Sequence, residues 1–312
     1  MRLFLMIEGQ EGVTWDDWVA LARTAEESGL DGLFRSDHYA STSEGPRDSL
    51  DAWATLAALA AITERIRLGT LVSPATFRHP SVLAKSVATV DHVSGGRVEL
   101  GLGAGWMELE HRAYGFPFPP MRERLAVFAE QLEIVKRQWT EESVDFEGRR
   151  YRLENCRALP RPLQDPHPTL LVGGTGTAGT IEPAVRFADE YNTFYFDVEG
   201  CRRVRSRLDE ACGRAGRDPA TLPLSLMTGL VVAPDGATLE RRAARVAELN
   251  GNGSWRELAA RPEWIVGTAD EVADRLRELE NAGVTRLMAQ HLAHDDLESV
   301  ELMAAELQPA LA

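Results

Sequence analysis

Short apolar runs of strand length alternate with helix-length stretches along the chain, and this alternation restricts the fold more than any other feature. Apolar or β-branched runs predict strands over 3–7, 32–36, 66–72, 97–102, 169–172, 191–194, 224–232 and 286–290. Between them, helices are predicted over 14–28, 51–61, 80–93, 122–139, 178–187 and 202–214, with a terminal helix over 295–307. Local signals support these assignments. Thr14-Trp15-Asp16-Asp17 gives an N-cap with an acidic first turn, Gly29 gives a stop, and Pro80 sits at the tolerated first helical position. Strands separated by helices must run parallel, because each crossover returns the chain to the same edge. Eight such units in 312 residues favour a closed (β/α)8 TIM barrel over an open, doubly wound sheet. Residues 144–153 read as an inserted hairpin turning at Glu147-Gly148, and the proline-rich stretch 160–168 reads as a tight loop before a strand. With no repeat, low-complexity tract or linker, residues 1–312 read as one barrel domain with inserted segments.

Composition narrows the partners. The formal charge of −14 disfavours nucleic acid and anionic membrane surfaces, while a local phosphate site at a helix start stays compatible with it. No run approaches the ~20 apolar residues of a membrane span, and the N-terminal apolar run is too short for a secretion signal. Cys156, Cys201 and Cys212 are odd in number and form no CxxC pair, so inert thiols in a reducing cytoplasm are expected.

In a parallel barrel the chemistry collects where the strands end. The segments that follow the strands are Ser36-Asp37-His38, Ser73-Pro74-Ala75-Thr76, Gly103-Ala104-Gly105-Trp106 and Gly173-Gly174-Thr175-Gly176. His38 is the candidate for proton transfer, since imidazole titrates near neutrality, although a histidine there also serves to hold a loop. Asp37, its neighbour on the strand, points to the other side and need not pair with it. The Gly173–Gly176 turn before a helix suits a phosphate, and it equally suits an ordinary strand-to-helix turn. Gly101-Leu102-Gly103-Ala104-Gly105 fails the GxGxxG dinucleotide pattern, because Trp106 stands where the pattern continues. His291 and His294, three residues apart, find no supporting carboxylate cluster, so no metal is expected. Capping accounts for the pairs Asp16-Asp17 and Asp295-Asp296.

Several segments together resemble the luciferase-like monooxygenase superfamily, in its coenzyme F420-dependent branch. They are residues 31–38 (DGLFRSDH), 68–80 (LGTLVSPATFRHP) and 91–106 with Ser94-Gly95-Gly96-Arg97, then Glu110-His111, Gly115, Phe118-Pro119-Pro120, Glu123-Arg124, 172–176 and Ala188-Asp189-Glu190. The resemblance implies a (β/α)8 barrel with a deazaflavin over the strand ends. It implies that Asp37 and His38 lie at the ring, with His38 as the proton-transfer residue. It implies a cis peptide at Leu71-Val72 forming a bulge behind the ring. The segments Gly103-Ala104-Gly105-Trp106 and Gly173-Gly174-Thr175-Gly176 would hold the cofactor's tail and phosphate. A homodimer is also implied. The sugar-phosphate dehydrogenases of that branch carry glutamate where this chain has Trp106, and lysines that this chain lacks, having only Lys85 and Lys136. Sugar-phosphate oxidation is therefore disfavoured, and Trp106 offers an aromatic wall instead.

The resulting expectation is hydride transfer between coenzyme F420 and a small organic substrate. The alternative is an FMN-dependent monooxygenase that uses oxygen and a partner reductase. A metal-dependent barrel hydrolase would need more histidines and carboxylates at strand ends than Asp37-His38 provides. A non-catalytic flavin-binding barrel would bind the cofactor without turnover.

Overall fold

A computed structural model describes residues 1–42, 45–251 and 253–311. Eight parallel strands close on themselves: β1 (Arg2–Ile7), β2 (Gly32–Arg35), β3 (Arg67–Thr70), β4 (Val98–Gly103), β5 (Leu170–Gly173), β6 (Glu190–Phe194), β7 (Leu224–Ala233) and β8 (Val284–Gln290). Each pairs with the next, and β8 returns to β1 with Leu3 opposite Leu287 and Leu5 opposite Ala289. This is the (β/α)8 barrel expected from the alternation.

The helices on the outside are α1 (Trp15–Ser28), α2 (Ala52–Ile62), α3 (Pro80–Ser94), α4 (Glu108–Tyr114), α5 (Met121–Thr140), α6 (Ala178–Phe187), α7 (Val198–Ala215), α8 (Gly236–Leu249), α9 (Trp255–Ala259), α10 (Ala269–Asn281) and α11 (Leu297–Leu302). The sequence signals act as read at α1. Thr14 accepts from the Asp17 N–H, Asp17 accepts from the Thr14 N–H, and Gly29 ends the helix with φ 99°.

Residues 234–283 carry elements that the pattern reading left unassigned, namely α8, α9, α10 and a short strand Ile265–Thr268 paired to β7. The hairpin begins at Val144 as expected and runs three residues further: its strands are Val144–Glu147 and Arg152–Cys156, with the Gly148 N–H donating to the Tyr151 carbonyl across the turn. The strand expected over 66–72 breaks after Thr70, and a two-residue piece, Ser73–Pro74, pairs separately with β4.

Period-two alternation divides the strand residues between two cores. Outward-facing residues such as Leu3, Leu5, Ile7 and Leu33 pack under the helices, whereas Phe4, Met6, Phe34, Leu71, Leu171 and Met288 fill the barrel interior. The foot of the barrel is closed by charge. Arg286, fully buried, donates to Glu99 at 2.8 Å and to Glu190 at 2.7 Å, and Arg67 also pairs with Glu99. The Arg286 guanidinium lies 4.6 Å from the Phe4 ring centroid. Burial opposes ionisation of Glu99, but the two arginines hold its carboxyl below the usual range. Glu190, which shares Arg286 and has no second arginine, is pushed up by burial. The opposite end of the barrel, where the strands finish, is open.

Candidate active site

A cavity of about 680 Å³ occupies that open end, a size suited to a small-molecule or cofactor site. Its floor grows out of the barrel core: Leu71 is part of the inner cluster, and Val72 and Met227 pack onto it from above. The Leu71-Val72 peptide is cis, as the resemblance implied. Three glycines from two neighbouring strands make room for the Val72 side chain. A Cβ at Gly103 would lie 2.6 Å from Val72 Cγ2, at Gly173 2.9 Å from Cγ1, and at Gly101 3.0 Å from Cγ1. The result is an apolar shelf at the centre of the mouth.

His38 lines the cavity directly after β2. Its Nδ1 is 2.7 Å from Glu110 Oε1, and the other carboxylate oxygen accepts the Tyr39 N–H at 2.9 Å. Glu110, on α4, is wholly buried. A carboxylate accepts and does not donate, so Nδ1 carries the proton and Nε2 is the nitrogen left for chemistry. Burial disfavours the charged imidazole, but the Glu110 hydrogen bond and charge, with Glu8 and Asp37 behind them, raise His38 above its ordinary value. Trp106 meets the imidazole edge to face, with centroids 5.6 Å apart, and remains 64% exposed at the rim. Glu110 is the site residue that sequence reasoning did not assign. It is 72 positions from His38, and only the fold brings them together.

The other expected site residues divide by position. Leu71, Val72, Gly103, Ala104, Gly105, Trp106, Gly173, Gly174 and Thr175 all line the cavity with His38, whereas Asp37 and Gly176 do not. Asp37 is turned behind the wall, as strand alternation anticipated. It accepts from Ser73 Oγ at 2.6 Å and from both Arg78 nitrogens at 2.5 and 3.1 Å. Arg78 is clamped further by Asp51 at 2.8 Å, and these carboxylates keep it protonated against its burial. Asp37 therefore supports the loop that carries His38. Gly176 is buried beneath the turn, donating its N–H to the Tyr191 hydroxyl at 2.8 Å.

Residues that could hold a phosphate remain at the rim. Thr175, Thr177 and Thr180 line the cavity where α6 begins, and the Thr177 side chain caps no backbone N–H of that helix, its hydroxyl lying 3.5 Å from Thr180 Oγ1. An uncapped helix start leaves N–H groups and the positive end of the dipole available to an anion. The apolar shelf and this polar rim together fit a planar ring with a phosphorylated tail.

Of the other histidines, His294 also lines the cavity. His111, fully buried, bonds the Met107 carbonyl and Thr76 Oγ1. His291 is enclosed and pushed down to about 4 by burial, and His294 lies 3.7 Å from Asp17. No group of three or more His, Cys, Asp or Glu able to hold a metal occurs among the described residues. No helix among them is long and apolar enough to cross a membrane.

A closed parallel barrel with a cavity at the strand ends defines an α/β-barrel of enzymatic type. Residues 2–286 match the model of the luciferase-like monooxygenase family, and the chain belongs to that family, which includes F420-dependent enzymes. It is similar to the F420-dependent glucose-6-phosphate dehydrogenase of Nakamurella multipartita, 29% identical over 314 residues covering 93% of this chain and 91% of the relative. It is also similar to the FMNH(2)-dependent dimethylsulfone monooxygenase of Pseudomonas putida, 27% identical over 322 residues covering 93% and 86%. The crystal structure of monooxygenase RslO1 from Streptomyces bottropensis superposes over 100% of both chains with a TM-score of 0.84 at 26% identity. Relatives of both cofactor types thus share this fold.

Proposed function

We propose that the protein is a coenzyme F420-dependent oxidoreductase that moves a hydride between the deazaflavin and a small organic substrate. The observation that carries the reading is the His38–Glu110 pair, set beside an apolar shelf and across from an uncapped helix start. A bound deazaflavin would supply the carbon that gives or takes the hydride. Leu71 and Val72 would support the ring. Gly103, Ala104, Gly105 and Trp106 would flank it, and Gly173, Gly174 and Thr175 would receive the tail, with Asp37 and Gly176 supporting from behind. His38 Nε2 would exchange the proton of the substrate's reacting group, and Glu110 would hold the imidazole in the tautomer that allows it.

In this reading residues 1–312 serve one barrel domain acting on a small molecule in the cytoplasm. Its three cysteines are free, and burial pushes Cys201 up to about 12, which keeps that thiol inert. The reading includes a homodimer. Ala61 and Ile62 of α2 and Val82 of α3 are exposed apolar residues that such a contact would cover. Light scattering tests that assembly, and a monomer at all concentrations rejects it.

Titration of the purified protein with coenzyme F420 and with FMN, followed by tryptophan fluorescence, tests the cofactor. Saturable micromolar binding of F420 alone is expected, and binding of FMN alone transfers the site to oxygen chemistry. His38→Ala is expected to bind F420 normally and to lose about 100-fold in turnover.

A further inference from the structure

One wall of the cavity is a continuous chain of side chains running across four strand ends. The Tyr195 hydroxyl is 2.6 Å from Gln290 Oε1, Gln290 Nε2 is 2.6 Å from Glu8 Oε1, and Gln10 Nε2 is 2.9 Å from Glu8 Oε2. Ser36 Oγ meets Gln10 Oε1 and accepts the Gly9 N–H at 3.0 Å. Tyr195, Gln290, Glu8 and Ser36 line the cavity, and Gln10 is buried behind them.

The direction of every bond is forced from the middle. The Glu8 carboxylate only accepts, so both glutamines must turn their amide nitrogens toward it. Their carbonyl oxygens then face outward along the chain, and Tyr195 and Ser36 must donate to them. Both terminal hydroxyls therefore commit their protons inside the wall and leave lone pairs for a ligand. The second N–H groups of Gln290 and Gln10 are the remaining donors of these five side chains, and Gln10 is buried behind the wall. Burial and the charge of Glu8 push the Tyr195 phenol up to about 12, so it stays a donor to Gln290 across the working pH range. The ring is also fixed, stacked on Trp264 with centroids 6.4 Å apart, on a backbone with φ 51°.

The geometry points to this wall as a substrate subsite that recognises a neutral hydrogen-bond donor, a hydroxyl on an apolar body, and rejects anions. Among the described residues that line the cavity, Arg47 is the single arginine and there is no lysine; Arg47 is held by Glu11 at 3.1 Å. His38 and His294, the other groups there that can carry positive charge, lie 2.7 Å from Glu110 and 3.7 Å from Asp17, so among the described residues no cation is set against a carboxylate or phosphate brought beside Glu8. Met227, Leu249, Leu292 and Phe194 supply apolar surface in the same cavity for the rest of the molecule. The inference deepens the function proposed above and rests on it only for the assignment of this cavity to the substrate.

Shape-matched probes test it on the full chain without cofactor: cyclohexanol, cyclohexanone and cyclohexanecarboxylate, with affinities read by calorimetry. Cyclohexanol should bind about tenfold more tightly than cyclohexanone, the value of one hydrogen bond that the ketone lacks, and the carboxylate should not bind measurably. Glu8→Gln frees the amides to turn either way, and the alcohol-to-ketone ratio should fall toward one. Tyr195→Phe removes the outer acceptor and should do the same; it also carries the test if Glu8→Gln does not fold. Equal binding of alcohol and ketone to the wild type, or tighter binding of the carboxylate, overturns the proposal. So does a Glu8→Gln variant that changes F420 affinity while keeping the alcohol preference. Because the probes are read without F420, failure of the deazaflavin assignment leaves this result standing, and the reverse also holds.

Discussion

Replacing Glu110 by glutamine tests the proton-transfer machinery at its origin. In the wild type one carboxylate oxygen receives His38 Nδ1 at 2.7 Å and the other receives the Tyr39 N–H at 2.9 Å, in a site with no water-exposed surface on Glu110. A glutamine has one acceptor oxygen and cannot serve both donors. If its oxygen stays with Tyr39, its NH₂ faces Nδ1, the neutral imidazole must move its proton to Nε2, and the nitrogen facing the chemistry becomes a donor. If its oxygen stays with His38, the Tyr39 N–H is left unpaired. The second outcome costs about 1–3 kcal/mol for the unpaired buried N–H, and the first replaces two bonds to a charged acceptor by neutral ones, a loss of about 1 kcal/mol or more. The variant should therefore be less stable to urea by that amount and slower by about tenfold to a hundredfold, since a misdirected base loses near-attack geometry.

The pH dependence has a definite sign. The folded state raises His38 above its ordinary value, so the stability from this pair is full below about 6.5 and is lost as pH rises through the folded value. Glu110→Gln removes the two largest contributions that oppose burial and leaves those of Glu8 and Asp37, so it should lose most stability relative to wild type on the acid side. Nitrogen-15 NMR of the neutral His38 ring reads the tautomer directly. A proton found on Nε2 in the wild type, or an unchanged tautomer and pH profile in the variant, would refute the reasoning.

Other perturbations probe the scaffold. Gly173→Ala places a methyl 2.9 Å from Val72 Cγ1 and should cost about 1–3 kcal/mol of urea stability by overpacking; adding Val72→Ala should recover most of it, and no recovery would discount the packing explanation. Arg286→Met strands Glu99 and Glu190 without their shared partner and should destabilise by about 3–5 kcal/mol, with partial rescue by Glu190→Gln in the same chain. His291, enclosed and pushed down to about 4, binds its proton only on unfolding. Wild-type stability should accordingly fall as pH drops from about 6.5 toward 4, by at most roughly 1.4 kcal/mol per pH unit, and His291→Phe should flatten that acid limb in urea titrations.

The barrel was legible because period-two and helical spacing are local signals, and all eight predicted strands occupy barrel positions. The unassigned region 234–283 also carried such signals: Asp235 caps α8 through the Thr238 N–H, and Thr268 with Glu271 forms a capping box for α10. The site was legible where strand ends carry distinctive residues, as at His38, Val72 and Gly173. It was not legible where function depends on which distant side chains meet. Glu110 looks like any glutamate of an amphipathic helix until the fold sets it against His38. The wall joining Tyr195 to Ser36 draws on four strand ends, and no spacing in the sequence announces it. Gly176 shows the converse, since its sequence context suits an anion while its N–H already serves Tyr191.

A single strand connects the two ends of this molecule. On β8, Arg286 belongs to the ion cluster at the foot, Met288 to the barrel core, and Gln290 to the cavity wall. They are two residues apart and so face the same way. A slip of one residue would turn Leu287 and Ala289 inward, dissolving the foot, the middle and the mouth together. This strand thus has one permitted seating, and closure of the barrel and the shape of the cavity depend on the same register.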